Sequence, residues 1–195
     1  MKHPFLRILG TALLGASALQ LPSCASAEGN VVYIHPLADF SLIERVGVLP
    51  LENLATDPSA GEWVRQVLTN ELLAQGLFDV VEPWEMNRAV QKLGISEVGT
   101  LSKDQLRELA GTVEAQALMV GTVLQFNRGR TSNVSSPEIA LSLRMVDVET
   151  GLVIWSTTYS VSGVSFGNKL TGTDGPDLTA ATALLCRDLL GTISG

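Results

Sequence analysis

Apolar positions fall along this chain in two rhythms, and each change of rhythm marks an element boundary. Val46, Val48, Leu49 and Leu51 make a short apolar run that stops at Asn53 and the turn-rich ATDPSAG, which predicts a buried strand. In GEWVRQVLTNELLAQGL, Trp63 or Val64, Val67, Leu68, Leu72 and Leu73 recur at helical spacing with charges on the other side, so an amphipathic helix closes at Gly76. FDVVEP, residues 78 to 83, predicts a second strand ending at a proline, and WEMNRAVQKLG a second helix closed by Gly94. Ser102 and Gln105 stand at the spacing of a capping box and open a third, short helix ending at Gly111.

From residue 117 the period is two. Residues 117–126, 138–148 and 152–163 predict three strands, with Ile139, Leu141, Leu143 and Met145 on one face of the second and Trp155, Thr157, Tyr159 and Val161 on one face of the third. Glu149-Thr150-Gly151 predicts a tight hairpin turn, because glycine supplies positive φ there. Pro176 is a good first residue for a closing helix, PDLTAATALLCRDLLGTI. The order is β-α-β-α-α-β-β-β-α. Helices after the first two strands favour parallel pairing of those strands, and the hairpin forces antiparallel pairing later. The expected fold class is therefore α/β, a single domain over residues 45–195 whose mixed sheet has helices packed on it.

The N-terminus follows a different logic. Lys2 and Arg7, then the apolar run from Ile8 to Leu19, then small residues, give the order of a secretory signal over residues 1–23. The run is too short to span a bilayer as a helix, which needs about 20 apolar residues. Two processing sites compete in LPSCASA. Leu21, Ser23 and Cys24 match the bacterial lipobox, from which Pro22 departs, and make Cys24 the lipid-attachment residue. The alternative, a cut after Ala27 in Ala25-Ser26-Ala27, leaves a soluble periplasmic protein. Residues 24–44 form a leader or tether, although VVYI is apolar enough to dock on the domain.

Composition narrows the partners. With 13 basic and 20 acidic residues and a net charge of −7, the chain offers no Lys/Arg cluster to neutralise phosphates, so nucleic acid is not an expected partner. At 46% hydrophobic residues it can bury one core without disulfides, and Cys186, among Leu184, Leu185, Leu189 and Leu190, reads as a buried apolar residue. Catalytic chemistry has little to stand on. His35 lies beside Pro36 in the leader, no G-x-S-x-G or S-x-x-K stands in the folded region, and no residues group as metal ligands; Asp147 and Glu149 simply flank a hairpin turn. Trp63, Trp84 and Trp155 keep apolar company and are expected in the core rather than as sugar-stacking platforms. No cofactor and no metal are expected, and the chain is read as a non-enzyme; the opposing class is a periplasmic glycan hydrolase using carboxylates that meet only in the fold.

VGVLPLEN, the GEWVRQVLTNELLAQGLFDVVEP unit, QALMVGTV and above all LRMVDVETGLVIWS resemble the CsgG-like group of bacterial envelope lipoproteins, over nearly all of residues 45 to 193. That group includes the curli secretion channel, the penicillin-binding-protein activator LpoB and small outer-membrane lipoproteins. The resemblance implies an outer-membrane protein anchored by lipid on the periplasmic face, acting as an assembly, secretion or scaffold factor with envelope protein partners and in some members as a homo-oligomer. Ala25 after the cysteine fits release from the inner membrane. For the channel branch the resemblance implies two long membrane-inserting hairpins per subunit. Here QFNRGRTSNVSSP and GVSFGNKLTGTDG offer polar residues instead, which disfavours a self-made pore. Both segments leave the same end of the sheet, and they carry Arg128, Arg130 and Lys169 with Phe126, Phe166 and Leu170, a basic and apolar mixture expected to contact a partner. The exposed side of the helices around Arg65 and Arg88 is the alternative contact.

Overall fold

The computed structural model describes residues 29–131, 134–161 and 177–193. Its strands are β1 (Gly29–Ile34), β2 (Arg45–Val48), β3 (Glu52–Asn53), β4 (Asp79–Val80), β5 (Ala117–Thr131), β6 (Val134–Asp147) and β7 (Val153–Val161). The helices are α1 (Ala60–Gln75), α2 (Pro83–Lys92), α3 (Lys103–Val113) and α4 (Leu178–Gly191). One seven-stranded sheet runs in the order β1-β7-β6-β5-β2-β4, with β3 also against β5. β2 pairs in parallel with β4 and β5, whereas β5-β6-β7 is an antiparallel meander that β1 extends. The mixed α/β domain read from the sequence is therefore the fold.

Two cores lie on opposite faces of this sheet. Alternation along β5 sends Ala117, Met119 and Val123 to one side, where Val64, Leu68 and Leu72 of α1 and Leu185, Leu189 and Leu190 of α4 cover them. Leu118 and Val120 point to the other side, against Met86, Ala89 and Val90 of α2 and Leu109, Ala110 and Val113 of α3. Ile139, Leu141, Leu143 and Met145 of β6 all belong to the α1/α4 core, as their spacing predicts.

The local signals that hold are those satisfied within a few residues. Ser102 accepts from the Gln105 amide while the Gln105 side chain accepts from the Ser102 amide, closing the capping box. In the hairpin turn, Asp147 Oδ1 accepts from the Thr150 amide at 2.8 Å and also from its hydroxyl, and Gly151 adopts φ +73°. Arg107 donates to the Glu149 carbonyl at 2.7 Å, so α3 clasps this turn.

Several expectations are corrected. α3 passes through Gly111 and stops only where Glu114 takes a left-handed conformation (φ 54°). The closing helix begins at Leu178 behind an Asp177 cap whose carboxylate accepts from the Ala180 amide at 2.6 Å, and Pro176 lies outside the described residues. Part of the leader, Gly29–Ile34, docks on the domain as the apolar VVYI allowed, in the form of an edge strand against β7. The segment expected as a loop between Phe126 and Glu138 is largely strand: pairing continues from Phe126↔Ile139 to Thr131↔Val134 past a register shift between Val123 and Gln125. Polar side chains do not prevent a strand when the hydrogen-bonding ladder is already set by the residues before it.

Candidate functional site

The lengthened hairpin places the residues read as contact candidates. The register shift turns Phe126 inward, where it is 6% exposed at the margin of the α1/α4 core, instead of leaving it in a surface loop. Arg128 follows two positions on, thus on the same face, and is exposed; its Nε donates to Ser135 Oγ at 3.0 Å. Arg130 stands in β5 opposite Ser135. On the reverse face Glu138 accepts from Gln125 and Asn127, both at 2.9 Å, and its side chain lies over Gly129, where a Cβ would collide with it. The extension is thus polar on both faces, whereas a strand facing lipid needs an apolar one. Phe166, Lys169 and Leu170, with Cys24, lie outside the described residues.

The alternative contact divides. Arg65, expected on an exposed helix face, is 1% exposed. Its Nε donates to the Val48 carbonyl at 3.1 Å, one terminal nitrogen to Asn87 Oδ1 at 2.7 Å and the other to the Pro83 carbonyl at 3.2 Å, with Glu62 at 3.5 Å. Burial draws its guanidinium below the ordinary range, opposed by the Glu62 charge. It ties α1 to β2 and to the start of α2, and is structural. Arg88 is exposed, its guanidinium 5.6 Å from the centre of the Trp84 ring. Arg45 pairs with Glu85 on the same helix at 3.1 Å.

The tryptophans are the second correction. Trp155 is fully buried, its indole donating to Thr192 Oγ1 at 2.9 Å, but Trp84 is 61% and Trp63 39% exposed. A helical wheel contains the signal that was missed. Trp84 stands opposite the Met86, Ala89 and Val90 stripe, with Arg88 and Lys92 one and two turns below it, and Trp63 lies to the side of the Val64, Leu68 and Leu72 stripe. Trp63 walls a cleft of about 340 Å³ where the first turns of α1 and α4 meet β5.

Cys186 is fully buried, and burial, reinforced by the Glu71 charge, pushes its thiol up to about 12. It is a packing residue rather than a nucleophile. Among the described residues no three His, Cys, Asp or Glu group as metal ligands, and no helix is long and apolar enough to cross a membrane.

Against known proteins, residues 53–161 match the family model of the peptidoglycan-synthase activator LpoB. No curated protein matches the chain. The fold is similar to that of PelC from Paraburkholderia phytofirmans, solved as a dodecamer, at 19% identity over 84% of this chain and 94% of that one, with a TM-score of 0.58. It is also similar to the lipoprotein GNA1162 from Neisseria meningitidis, at 16% identity over 77% of this chain and 98% of that one, with a TM-score of 0.56. Of the resemblance drawn from the residues, the LpoB-related part is what the family match supports.

Proposed function

We propose that this chain, which belongs to the peptidoglycan-synthase activator LpoB family, is a non-enzymatic regulator or scaffold that binds and stimulates a cell-wall synthase in the bacterial envelope. The observation that carries the reading is the extent of the match: residues 53–161 take in α1, α2, α3 and the entire β5-β6-β7 meander with its overhanging hairpin. A family described by the activation of another enzyme points to a protein contact as the working event. The hairpin end, with Arg128 exposed and Arg130 beside it, is the proposed contact, completed by Phe166 and Lys169 from the segment before α4. Cationic side chains on a chain of net charge −7 favour an acidic patch on the partner and act chiefly on the association rate.

The proposal places the protein on the periplasmic face of the outer membrane, held through acylated Cys24. A triacyl group gains about 0.8 kcal/mol for each buried methylene, so several chains hold where one would exchange. Homo-oligomers are compatible with this reading, since the similar PelC was solved as a dodecamer.

The test is to add purified protein to a peptidoglycan synthase and follow glycan polymerisation from the lipid-linked precursor. Saturable stimulation is expected, weakened in the Arg128→Ser, Arg130→Ser, Lys169→Ser triple variant and more so at low salt. No stimulation and no co-sedimentation would overturn the reading, and turnover of isolated cell wall by this protein alone would favour a hydrolase. Cells fed a palmitate analogue should label the wild type but not Cys24→Ser; absence of label in both would remove the anchor.

A further inference from the structure

The Trp63 cleft has a chemistry of its own. Its apolar lining is the exposed Trp63 with buried Phe126 and half-buried Leu178, and its polar lining includes Asp57, Glu62 and Gln66. A volume of about 340 Å³ sits near the lower end of small-ligand sites, roughly 300 to 1,000 Å³, too small for a folded peptide element.

The charges decide between ligand classes. Two carboxylates on the rim, with no basic residue lining the cleft among the described residues, exclude an anion. A cation would be drawn to them, but Glu62 is already answered: its Oε2 faces the buried Arg65 guanidinium at 3.5 Å and its Oε1 accepts from Gln66 at 3.4 Å. Asp57 Oδ1 accepts from the Ser59 amide at 2.9 Å and its hydroxyl at 2.7 Å, bonds that hold its pKa below the ordinary range and keep it an acceptor. The rim is therefore rich in acceptors, with much of its charge compensated. Hydroxyl donors suit such a rim, and a flat C–H face suits an exposed indole plane.

We propose that this cleft binds a neutral saccharide ring, stacked on Trp63 and hydrogen-bonded through its hydroxyls to Asp57, Glu62 and Gln66. The site shares Phe126 of β5 with the base of the hairpin, but its ligand chemistry does not rest on the activator reading. It would let the protein hold a glycan strand while another surface holds a protein.

The three tryptophans supply the controls for a test. In an NMR titration of the Cys24→Ser chain with an N-acetylglucosamine tetramer, the Trp63 indole N–H should shift saturably with a millimolar Kd. Trp84, more exposed than Trp63 but elsewhere, and Trp155, buried and bonded to Thr192, should stay still. Trp63→Ala and, independently, Gln66→Ala should weaken binding, the first by about tenfold or more, while Trp84→Ala leaves it unchanged; unaltered amide spectra show that each variant is folded. A still Trp63 signal up to tens of millimolar sugar, or equal shifts of Trp63 and Trp84, overturns the assignment. So does a cleft that answers to lysine amide and not to the tetramer. No synthase is present in this experiment, so its failure leaves the activator reading standing, and the reverse also holds.

Discussion

Arg65 offers the sharpest check on how the helical layers are joined. It is 1% exposed, yet it donates to two backbone carbonyls and an amide oxygen on two separate elements: Val48 at the end of β2, and Pro83 and Asn87 of α2. Arg65→Ala leaves these three acceptors without their donor and removes a large buried side chain. An unsatisfied buried polar group costs about 1 to 3 kcal/mol, and breaking a buried charge arrangement about 3 to 5 kcal/mol. Because the three acceptors lie close together and water can enter the space left, the upper sum is not reached, and a loss of about 3 to 5 kcal/mol is expected. That is a large share of the roughly 5 to 15 kcal/mol of a typical domain. Arg65→Met keeps the packing of the stem and takes the charge away with the donors; Glu62, 53% exposed at its side chain, stays solvated. Its loss should be about 1 to 3 kcal/mol. Urea unfolding at constant m, followed by far-UV circular dichroism, measures both. An alanine variant within about 1 kcal/mol of wild type, or a methionine variant as damaged as the alanine one, would refute the donor role assigned to Arg65.

Other expectations rest on single observations. Leu143, 1% exposed on the α1/α4 face of β6, should cost about 2 to 5 kcal/mol when cut to alanine, as a cavity between sheet and helices. Gly121→Ala should cost about 1 to 3 kcal/mol, because its Cβ would meet Leu143 and, at 2.7 Å, the Ser142 carbonyl; urea midpoints check both. The Cys186 thiol holds its proton to about 12 in the folded chain but loses it from 9.0 upward once unfolded. The folded state therefore binds more protons in that window, and stability falls as pH rises through it, by up to about 1.4 kcal/mol per unit. Comparing urea midpoints at neutral and alkaline pH should show a shallower decline in Cys186→Ala than in wild type; equal slopes would assign the loss to other groups.

The elements legible in the chain are those whose signals close over a few residues. The capping box at Ser102, the Asp147-to-Gly151 turn, the stripe from Ile139 to Met145 and the helix closed by Gly76 each depend on neighbours within one turn or one strand. Their order, with parallel pairing early and antiparallel pairing late, was enough for the fold class. What lay beyond reach depends on partners distant in sequence. Arg65 looks like a surface arginine until β2 and α2 close over it, and VVYI becomes a strand only because β7 presents an edge to it. Residues 125–131 and 134–137 lack apolar alternation and still form strand, since the ladder from Ala117↔Asp147 fixes both strands and cooperative pairing carries onward to Thr131↔Val134. Phe126 goes inward because of a register shift that no local pattern announces. The cleft beside Trp63 belongs wholly to this second kind: Trp63, Phe126 and Leu178 are far apart along the chain, and only the packing of α1 and α4 on β5 brings them to one wall. Side-chain chemistry is written locally, but which groups share a solvent-facing hollow is settled by how the layers dock.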